Sequence, residues 1–406
     1  MLIKRLKEKI KSNRLLYNTL RKLKMFYFRV IKQKTIGSFF RILKIKNNKI
    51  VVNNFNGKGY GDNPKFIVNE FLKKDNNLDI VWILSKENMN CELPKDIRKV
   101  KHGTYKHLYE LATAKIWIDN VRKYFWPIKR KKQFYIQTWH GGIALKRIEK
   151  DVEDKLDKYY VDYAKKDSKN IDLLVSNSKW ETELYRKSFW YNGKIIEFGL
   201  PRNDLLIKKE FHKEIKENVK KALNIAETTK ILLYAPTFRK SMNTNVYDLD
   251  YKKICNALSK KTNEKWVCLL RLHPNFSNEA NNTNDENVIN VSQYADITEL
   301  LIASDCLITD YSSVSFEFAY QLKPVFLYAN DYEEYVQDRG FYFDYFNLPF
   351  KASRDQKELL NDIECFEYDE YKNKLEDFYK DVGLQETGRA AEIIADEIIK
   401  EVKKNG

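Results

Sequence analysis

The sequence lacks the features of a disulfide scaffold, a zinc site or a membrane-spanning protein. Its five cysteines are scattered over 406 residues, without a Cys-x-x-Cys pair or a cysteine–histidine cluster. No apolar run approaches the roughly 18 residues of a membrane-spanning helix. The N-terminus has no apolar stretch with a small-residue cleavage site, so no secretory signal is predicted. These absences favour a chain in a reducing cytoplasm that is neither threaded through a bilayer nor exported.

Glycine-rich nucleotide motifs are also missing. The sequence contains no G-x-G-x-x-G and no G-x-x-x-x-G-K-[ST], and the glycines of residues 57–61 lack dinucleotide spacing. NAD and P-loop chemistry are therefore disfavoured. What the chain does have is 43% hydrophobic and 14% aromatic residues, too many for a disordered chain. Its length allows two or three domains.

Positive charge is concentrated at the N-terminus. The net charge is +16, and residues 1–46 hold 15 basic residues against one acid, Glu8. Apolar residues recur there at helical spacing, namely Leu6, Ile10, Leu16, Leu20, Leu23, Tyr27 and Val30. We predict a basic amphipathic arm on an anionic membrane surface; the alternative is a helix packed on the body with a solvated basic face. Nucleic acid is not predicted as a partner, because no binding motif accompanies the charge.

The rest of the chain alternates short apolar runs with helical periodicity, the pattern of buried parallel sheets. The first set of predicted strands is Ile50–Val52, Ile80–Leu84, Ile116–Ile118, Phe134–Ile136, Leu173–Val175 and Ile195–Phe198. The second set is Ile231–Tyr234, Trp266–Leu270, Val288–Val291, Cys306–Ile308 and Val325–Tyr328. We predict an α/β fold with two Rossmann-like, doubly wound domains at 47–205 and 206–387, and a final helix at 388–406 that could cross back to the first.

His140 is the first candidate for chemistry. It follows a predicted strand in Gln137-Thr138-Trp139-His140-Gly141-Gly142, where paired glycines leave room for a substrate. An imidazole with a pKa near neutrality can take a proton from an attacking hydroxyl. The alternative is a purely structural histidine.

Two strands of the second set end in residues suited to anions. Alternation along Leu269-Leu270-Arg271-Leu272-His273-Pro274 places Arg271 and His273 on one face, as in an anion clamp. In Thr309-Asp310-Tyr311-Ser312-Ser313, the serines open a predicted helix whose amides could bind phosphate, and Glu317 follows one turn later, where it could reach a ribose hydroxyl. Loop hydrogen bonds and a structural capping box are the alternatives.

Two further polar clusters complete the pattern. Pro236-Thr237-Phe238-Arg239 follows another strand, and Arg202-Asn203-Asp204 lies at the predicted boundary. The carboxyl ends of the strands in two facing parallel sheets border one crevice. The convergence of these clusters predicts a site there for a phosphate-bearing ligand.

Seven ordered motifs resemble the CDP-glycerol glycerophosphotransferase family, the teichoic-acid primases and polymerases and related capsule enzymes of bacteria. They are Thr138-Trp139-His140-Gly141, Asn177-Ser178, Gly199-Leu200-Pro201-Arg202-Asn203-Asp204, Tyr234-Ala235-Pro236-Thr237-Phe238-Arg239, Arg271-Leu272-His273-Pro274, Thr309-Asp310-Tyr311-Ser312-Ser313 and Gly388-Arg389-Ala390-Ala391-Glu392. The resemblance covers about residues 50–400. One departure is Gly142, where many members are expected to have a hydroxyl residue; it bears on acceptor fit.

The resemblance implies a GT-B fold and a CDP-glycerol or CDP-ribitol donor held by the C-terminal domain. It also implies a polyprenyl-diphosphate-linked glycan or polymer as acceptor, at the cytoplasmic face of the bacterial membrane, where the protein would be peripheral. His140 would be the base, and His273 with the Ser312–Ser313 turn would contact the donor phosphates.

The predicted reaction is attack by an acceptor hydroxyl on the phosphorus that bears the alditol, with release of CMP. His140 and His273 are the predicted catalytic residues. The predicted substrate-binding residues are Gly141, Arg202, Asn203, Asp204, Pro236, Thr237, Arg239, Arg271, Asp310, Ser312, Ser313 and Glu317. Nothing in the sequence requires a metal ion or another cofactor, and Mg²⁺ bridging the diphosphate is left open.

Two other functions fit parts of the pattern. A GT-B glycosyltransferase that uses a nucleotide sugar would have the same fold and phosphate grip, because fold does not determine the reaction. A non-catalytic protein that binds a membrane surface would explain the basic arm alone. Release of CMP from a CDP-alditol distinguishes the predicted function from both.

Overall fold

The computed structural model describes residues 37–74, 77–123, 129–237, 239, 249–272 and 287–403, together with seven single residues before position 37. Most of the predicted basic arm and residue His273 lie outside these described residues. Among the described residues, no helix is long and apolar enough to cross a membrane.

The first part of the chain forms a seven-stranded parallel sheet in the order β3-β2-β1-β4-β5-β6-β7. Its strands are β1 Lys46–Asn53, β2 Asp79–Leu84, β3 Ile97–Lys101, β4 Ala114–Asp119, β5 Phe134–Gln137, β6 Leu173–Ser176 and β7 Lys194–Glu197. Its helices are α1 Gly37–Phe40, α2 Asp62–Lys74, α3 Tyr105–Thr113, α4 Lys158–Ser168 and α5 Lys179–Ser188.

The second part forms a six-stranded parallel sheet in the order β10-β9-β8-β11-β12-β13. Its strands are β8 Lys230–Tyr234, β9 Trp266–Leu270, β10 Val288–Asn290, β11 Cys306–Thr309, β12 Val325–Tyr328 and β13 Lys351–Ser353. The helices after β7 are α6 Asp204–Ile207, α7 His212–Ala222, α8 Tyr251–Thr262, α9 Ile297–Ala303, α10 Val314–Ala319, α11 Tyr332–Arg339, α12 Gln356–Glu364, α13 Tyr368–Asp381 and α14 Ala390–Lys403.

Both sheets reverse their strand order at one point. The reversal lies between β1 and β4 in the first sheet and between β8 and β11 in the second. Ligands of doubly wound folds bind outside the carboxyl ends of the strands that flank this point. The topology therefore directs attention to the loops after β1, β4, β8 and β11. The prediction of an α/β fold with two parallel sheets is confirmed.

The predicted strands all appear, but two edge strands were missed. These are β3, with the sequence Ile-Arg-Lys-Val-Lys, and β13, with Lys-Ala-Ser. An edge strand is covered less completely than a central one and can carry charged side chains. For that reason neither strand has the continuous apolar run by which the central strands are recognised.

The last helix, α14, packs against the first sheet. Its buried residues Ile394, Ala395 and Ile398 share a core cluster with Ile50 of β1 and Ile67 of α2. The apolar face of α14, which the spacing of its Ile and Ala residues predicts, is therefore buried against residues that lie more than 300 positions earlier in the sequence. The chain returns to its first sheet after it completes the second.

Candidate active site

A cleft of about 700 Å³ opens between the carboxyl ends of the two sheets. From the first-sheet side it is lined by His140, Gly141 and Gly142, and from the second-sheet side by Ser312 and Ser313. A Cβ placed on Gly141 would lie 3.5 Å from the Ser313 Oγ. The histidine loop and the serine turn, which the sequence predicts at one site, therefore face each other across this cleft.

A tight turn after β5 directs His140 towards the cleft. Trp139 adopts the left-handed backbone region, with φ of +53°. Its N–H donates to the Gln137 Oε1 at 2.9 Å, and its carbonyl accepts from the Asn63 Nδ2 at 3.1 Å. These two bonds hold a backbone conformation that a bulky residue otherwise avoids, and strain of this kind is typical of functional sites.

The environment of His140 selects one tautomer. Its Nδ1 lies 2.6 Å from the Asn120 carbonyl oxygen, which can only accept, so Nδ1 carries the proton and Nε2 keeps its lone pair. Burial lowers the pKa of His140, although the bond to Asn120 and the charge of Asp62 oppose this shift. The imidazole is therefore neutral at pH 7 and suited to accept a proton.

Asp310 fixes the serine turn to the loop after β8. Its carboxylate accepts from the Thr237 N–H at 2.9 and 3.0 Å and from the Thr237 hydroxyl at 3.0 Å. The Tyr311 N–H donates to it at 2.6 Å. Ser312 Oγ accepts from the Val314 N–H at 3.3 Å, whereas Ser313 makes no side-chain cap bond. Asp310 therefore organises both loops at the switch point of the second sheet.

Arg239 is buried between two carboxylates. Its guanidinium lies 2.8 Å from Asp310 and 2.6 Å from Asp331, and it packs over the rings of Tyr311 and Tyr335. A buried cation requires such counter-charges. The structure therefore shows a guanidinium whose charge is already neutralised, whereas the sequence suggested one directed at phosphate; its contact with substrate stays a prediction.

Arg271 borders a smaller cavity of about 200 Å³, together with Lys58 and Arg202. Its guanidinium donates to the carbonyls of Val291 at 3.2 Å and Tyr294 at 2.9 Å. Within the described part of the chain it makes no ion pair, although the charge of Asp296, which lines the same cavity, acts on it and opposes the lowering of its pKa by burial. The second member of the predicted clamp, His273, is outside the described residues.

The cluster at the predicted domain boundary is engaged with the protein itself. Arg202 pairs with Asp62 at 2.6 Å and with Glu317. Asn203 Nδ2 donates to the Glu386 Oε1 at 2.6 Å. Glu317, which the sequence suggested for a ribose hydroxyl, is buried in an ion pair because a carboxylate on this face of α10 meets a guanidinium there.

Asp204 caps the helix that returns to the first sheet. Its carboxylate accepts from the Ala390 N–H at 2.9 Å and the Ala391 N–H at 2.8 Å, the first two amides of α14. These amides would otherwise lack a partner in the helix. Asp204 thus contacts α14 in this structure, and its predicted role towards substrate is not supported by its contacts.

A buried charge cluster beside the cleft was not predicted from the sequence. Arg122 lies 2.9 Å from Glu149 and 3.6 Å from Asp167, and donates to the Ser168 Oγ at 2.8 Å. Burial raises the pKa of Asp167 to about 7. The sequence signal that could have located this side of the cleft is the mostly polar segment Asp119-Asn120-Val121-Arg122. It begins at the last residue of β4, beside the switch point of the first sheet.

Gly142 is required by the packing of the cleft. A Cβ at this position would lie 2.4 Å from the Asn177 Nδ2. Asn177 in turn donates to the Tyr320 hydroxyl at 3.0 Å and to the Glu386 Oε1 at 2.9 Å. A hydroxyl residue at 142 would therefore displace a side chain that contacts both parts of the protein.

Two facing parallel sheets, with a neutral imidazole on one and a serine turn on the other, define a two-part α/β transferase. Residues 36–400 match the model of the family "CDP-Glycerol:Poly(glycerophosphate) glycerophosphotransferase". The chain belongs to this family, and the predicted family and enzyme class are confirmed.

Relatives and solved structures agree with this assignment. A teichoic acid glycerol-phosphate transferase of Staphylococcus aureus is 32% identical over 94% of this chain and 99% of its own length. A teichoic acid poly(glycerol phosphate) polymerase of Staphylococcus epidermidis is 32% identical over 89% of this chain, which spans only 52% of that polymerase. The structure of the wall teichoic acid polymerase TagF superposes with a TM-score of 0.81 at 30% identity, covering 96% of this chain and 99% of that one. A histidine-to-asparagine variant of TagF has been soaked with CDPG.

Proposed function

We propose that the chain transfers glycerol phosphate or ribitol phosphate from a CDP-alditol to a hydroxyl of an acceptor, with release of CMP. The observation that carries this proposal is the placement of the neutral His140 imidazole across one cleft from the Ser312–Ser313 turn. The family and the soaked TagF variant support a CDP-linked donor. The chain is also 28% identical to a teichoic acid ribitol-phosphate primase of Bacillus spizizenii, so the proposal includes CDP-ribitol as well as CDP-glycerol as the donor.

In the proposed reaction His140 Nε2 takes the proton of the acceptor hydroxyl. The hydroxyl oxygen attacks the phosphorus that bears the alditol, and the bond from this phosphorus to the bridging oxygen of the diphosphate breaks. CMP leaves with that oxygen. Amides and hydroxyls of the Ser312–Ser313 turn and the guanidinium of Arg271 would stabilise the negative charge that develops, which is the main task of catalysis in phosphoryl transfer. His273 is proposed for the same phosphates.

We propose in addition that the fold belongs to the GT-B class, in which one domain binds the acceptor and the other binds the donor. Residues 47–205 would hold the acceptor, residues 206–387 the CDP-alditol, and residues 388–406 would close the chain on the first domain. It is supported by two sheets with the same doubly wound order, each with its switch point at the cleft. The cleft itself is lined mainly by the first part, as expected for the side that receives a bulky acceptor.

We further propose a polyprenyl-diphosphate-linked glycan or polymer as the acceptor and a peripheral position on the cytoplasmic face of the bacterial membrane. The excess of basic residues in 1–46 supports this position. Exposed apolar side chains among the described residues of the arm support it too: Leu16, Leu20, Leu23, Phe26 and Tyr27 are 39–60% exposed.

A donor screen tests the reaction. Purified protein and a lipid-linked acceptor are incubated with CDP-glycerol, CDP-ribitol or a UDP-sugar, and the products are identified by mass spectrometry. We expect CMP from a CDP-alditol and an acceptor heavier by one alditol phosphate. Release of UDP from the sugar nucleotide, with no CMP from either alditol donor, would replace this function with glycosyl transfer.

Deletion of residues 1–36 tests the membrane proposal. This truncation removes 12 basic residues but keeps Arg41 and Leu43, whose carbonyls accept bonds from Arg130 at 2.7 Å. We expect the truncated protein to remain folded and to lose sedimentation with anionic liposomes at low salt, because the removed basic residues supply the attraction to the lipid headgroups, which low salt leaves largely unscreened. The full chain with neutral liposomes is the control. Unchanged sedimentation of the truncated protein would locate the membrane affinity elsewhere.

A further inference from the structure

A continuous series of polar contacts leads from His140 on the first sheet to α10 on the second. It begins at the Asn120 carbonyl, which accepts from His140 Nδ1 at 2.6 Å. The Asn120 side chain is itself held at both ends: its amide donates to Asn54 Oδ1 at 2.8 Å and to Asp62 Oδ1 at 3.0 Å, and its oxygen accepts from the Phe55 N–H at 2.9 Å. The backbone that orients the imidazole is therefore tied to the Asp62 carboxylate.

Arg202 continues this series across the two sheets. One arm of its guanidinium lies 2.6 Å from Asp62 Oδ2, and the other pairs with Glu317. The backbone N–H of Arg202 donates to Asn63 Oδ1 at 3.0 Å. The side chains of Arg202, Asp62 and Glu317 are 14%, 11% and 7% exposed, so water screens these pairs poorly.

Glu317 lies in α10, directly after the Ser312–Ser313 turn. Arg202 thus joins the Asp62 carboxylate, which supports the proposed base, to the Glu317 carboxylate, which lies beside the Ser312–Ser313 turn. Arg202 and Glu317 are 115 residues apart in sequence. A guanidinium can hold two carboxylates in fixed directions because its donors form a rigid fork. We propose that Arg202 is a positioning residue, whose bridge between Asp62 and Glu317 sets the distance between the His140 imidazole and the Ser312–Ser313 turn.

Simple attachment of the two parts is not a sufficient account of this bridge, because other contacts attach them as well. Lys65 of α2 pairs with Asp296, before α9, at 2.6 Å. The Arg147 N–H donates to the Gly340 carbonyl at 3.2 Å, and the Tyr342 N–H to the Leu145 carbonyl at 3.0 Å. None of these contacts reaches Asn120. Arg202 differs from them because its partner Asp62 also supports the base.

The charges of the bridge also act on the base. The charged groups that influence His140 are Asp62 and Glu149, which raise its pKa, and Arg202, which lowers it. Loss of the Asp62 charge should therefore lower the pKa of His140 and move the acid limb of the kcat/KM profile to lower pH. A lysine at 202 keeps the positive charge but cannot reproduce the fork, so it should leave that limb in place.

The test rests on the proposed function and compares three full-length variants: Arg202→Lys, Asp62→Asn and, as the matched control, Lys65→Gln. CMP release from CDP-glycerol or CDP-ribitol is measured from pH 5 to 9, after circular dichroism has shown that each variant is folded. For Arg202→Lys we expect kcat to fall about 10²-fold, as for a misplaced reacting group, with KM for the donor nearly unchanged. For Asp62→Asn we expect the acid limb at lower pH. The control should show neither effect.

The outcomes separate this inference from the function beneath it. No CMP release by the unmodified protein from either donor would contradict the proposed function. An active protein whose Arg202→Lys variant keeps its kcat, or whose folded Asp62→Asn variant keeps its acid limb, would overturn the positioning role. Equal losses in Arg202→Lys and Lys65→Gln would reduce the bridge to an ordinary contact between the two parts. If Asp62→Asn does not fold, the split between kcat and KM in Arg202→Lys decides alone.

Discussion

Replacement of His140 by alanine should lower kcat for CMP release by at least about 10²-fold, the usual contribution of a general base. The reason is that Nε2 is the free nitrogen of the only tautomer that the Asn120 carbonyl allows. Single-turnover rates with CDP-glycerol or CDP-ribitol measure the loss directly. Because burial lowers the pKa of His140, the unmodified enzyme should keep its activity well below pH 7 and lose it only as the imidazole becomes protonated.

His212→Gln is the matched control for this experiment. His212 also bonds a backbone carbonyl, that of Leu205, at 2.7 Å, but it lies at the start of α7 and does not line the cleft. Its substitution should leave kcat and the pH profile unchanged. If His140→Ala kept normal turnover, the base would have to be another group, and the proposed mechanism would be wrong.

The second large effect concerns stability and is expected for Arg122→Met. Arg122 is the counter-charge of the buried carboxylates Glu149 and Asp167. Removal of one partner of a buried ion pair costs about 3–5 kcal/mol, because the remaining charge stays buried without compensation. We therefore expect the free energy of unfolding to drop by about this amount at pH 8, as measured by urea denaturation.

The loss should become smaller in acid. The pKa of Asp167 is raised to about 7 in the folded protein, above the value of about 3.9 in an unfolded chain. Between these values the folded state binds the extra proton, so the stability of the unmodified protein rises as the pH falls from about 7 towards 4. Once Asp167 is protonated it has no charge for Arg122 to compensate, so the Arg122→Met variant loses less stability there. Arg389→Met is the control: Arg389 is exposed, and among the described residues its ion pair is with Glu392 in the first turn of α14, at 2.9 Å, so its loss should leave stability nearly unchanged. A pH-independent loss in Arg122→Met would show that its packing, and not its charge, stabilises the protein.

Local sequence patterns were sufficient for the central strands and for the two groups that face each other in the cleft. The central residues of β1, β4, β8 and β11 form short apolar runs because both faces of a parallel sheet are covered there. His140 and the Ser312–Ser313 turn were recognisable because each follows such a run directly. The edge strands β3 and β13 lacked this signal.

The polar residues around the cleft were harder to interpret. Sequence alone suggested that Arg202, Arg239 and Glu317 contact the substrate, since charged residues at strand ends often do. The structure pairs Arg202 with Glu317, and Arg239 with Asp310 and Asp331. These partners come from loops of different strands, and nothing in the local pattern of a charged residue reveals which opposite charge will meet it.

The sequence by itself determined the two parallel sheets and the family, and it predicted which residue is the base, because apolar periodicity and the residues that end a strand are local properties. Only the tertiary structure decided which charges are neutralised and how the two sheets are aligned, because burial forces each charge to find a partner wherever the fold brings one. The tautomer of His140 belongs to this second group, since it depends on a carbonyl 20 residues away that β4 and β5 bring beside the imidazole.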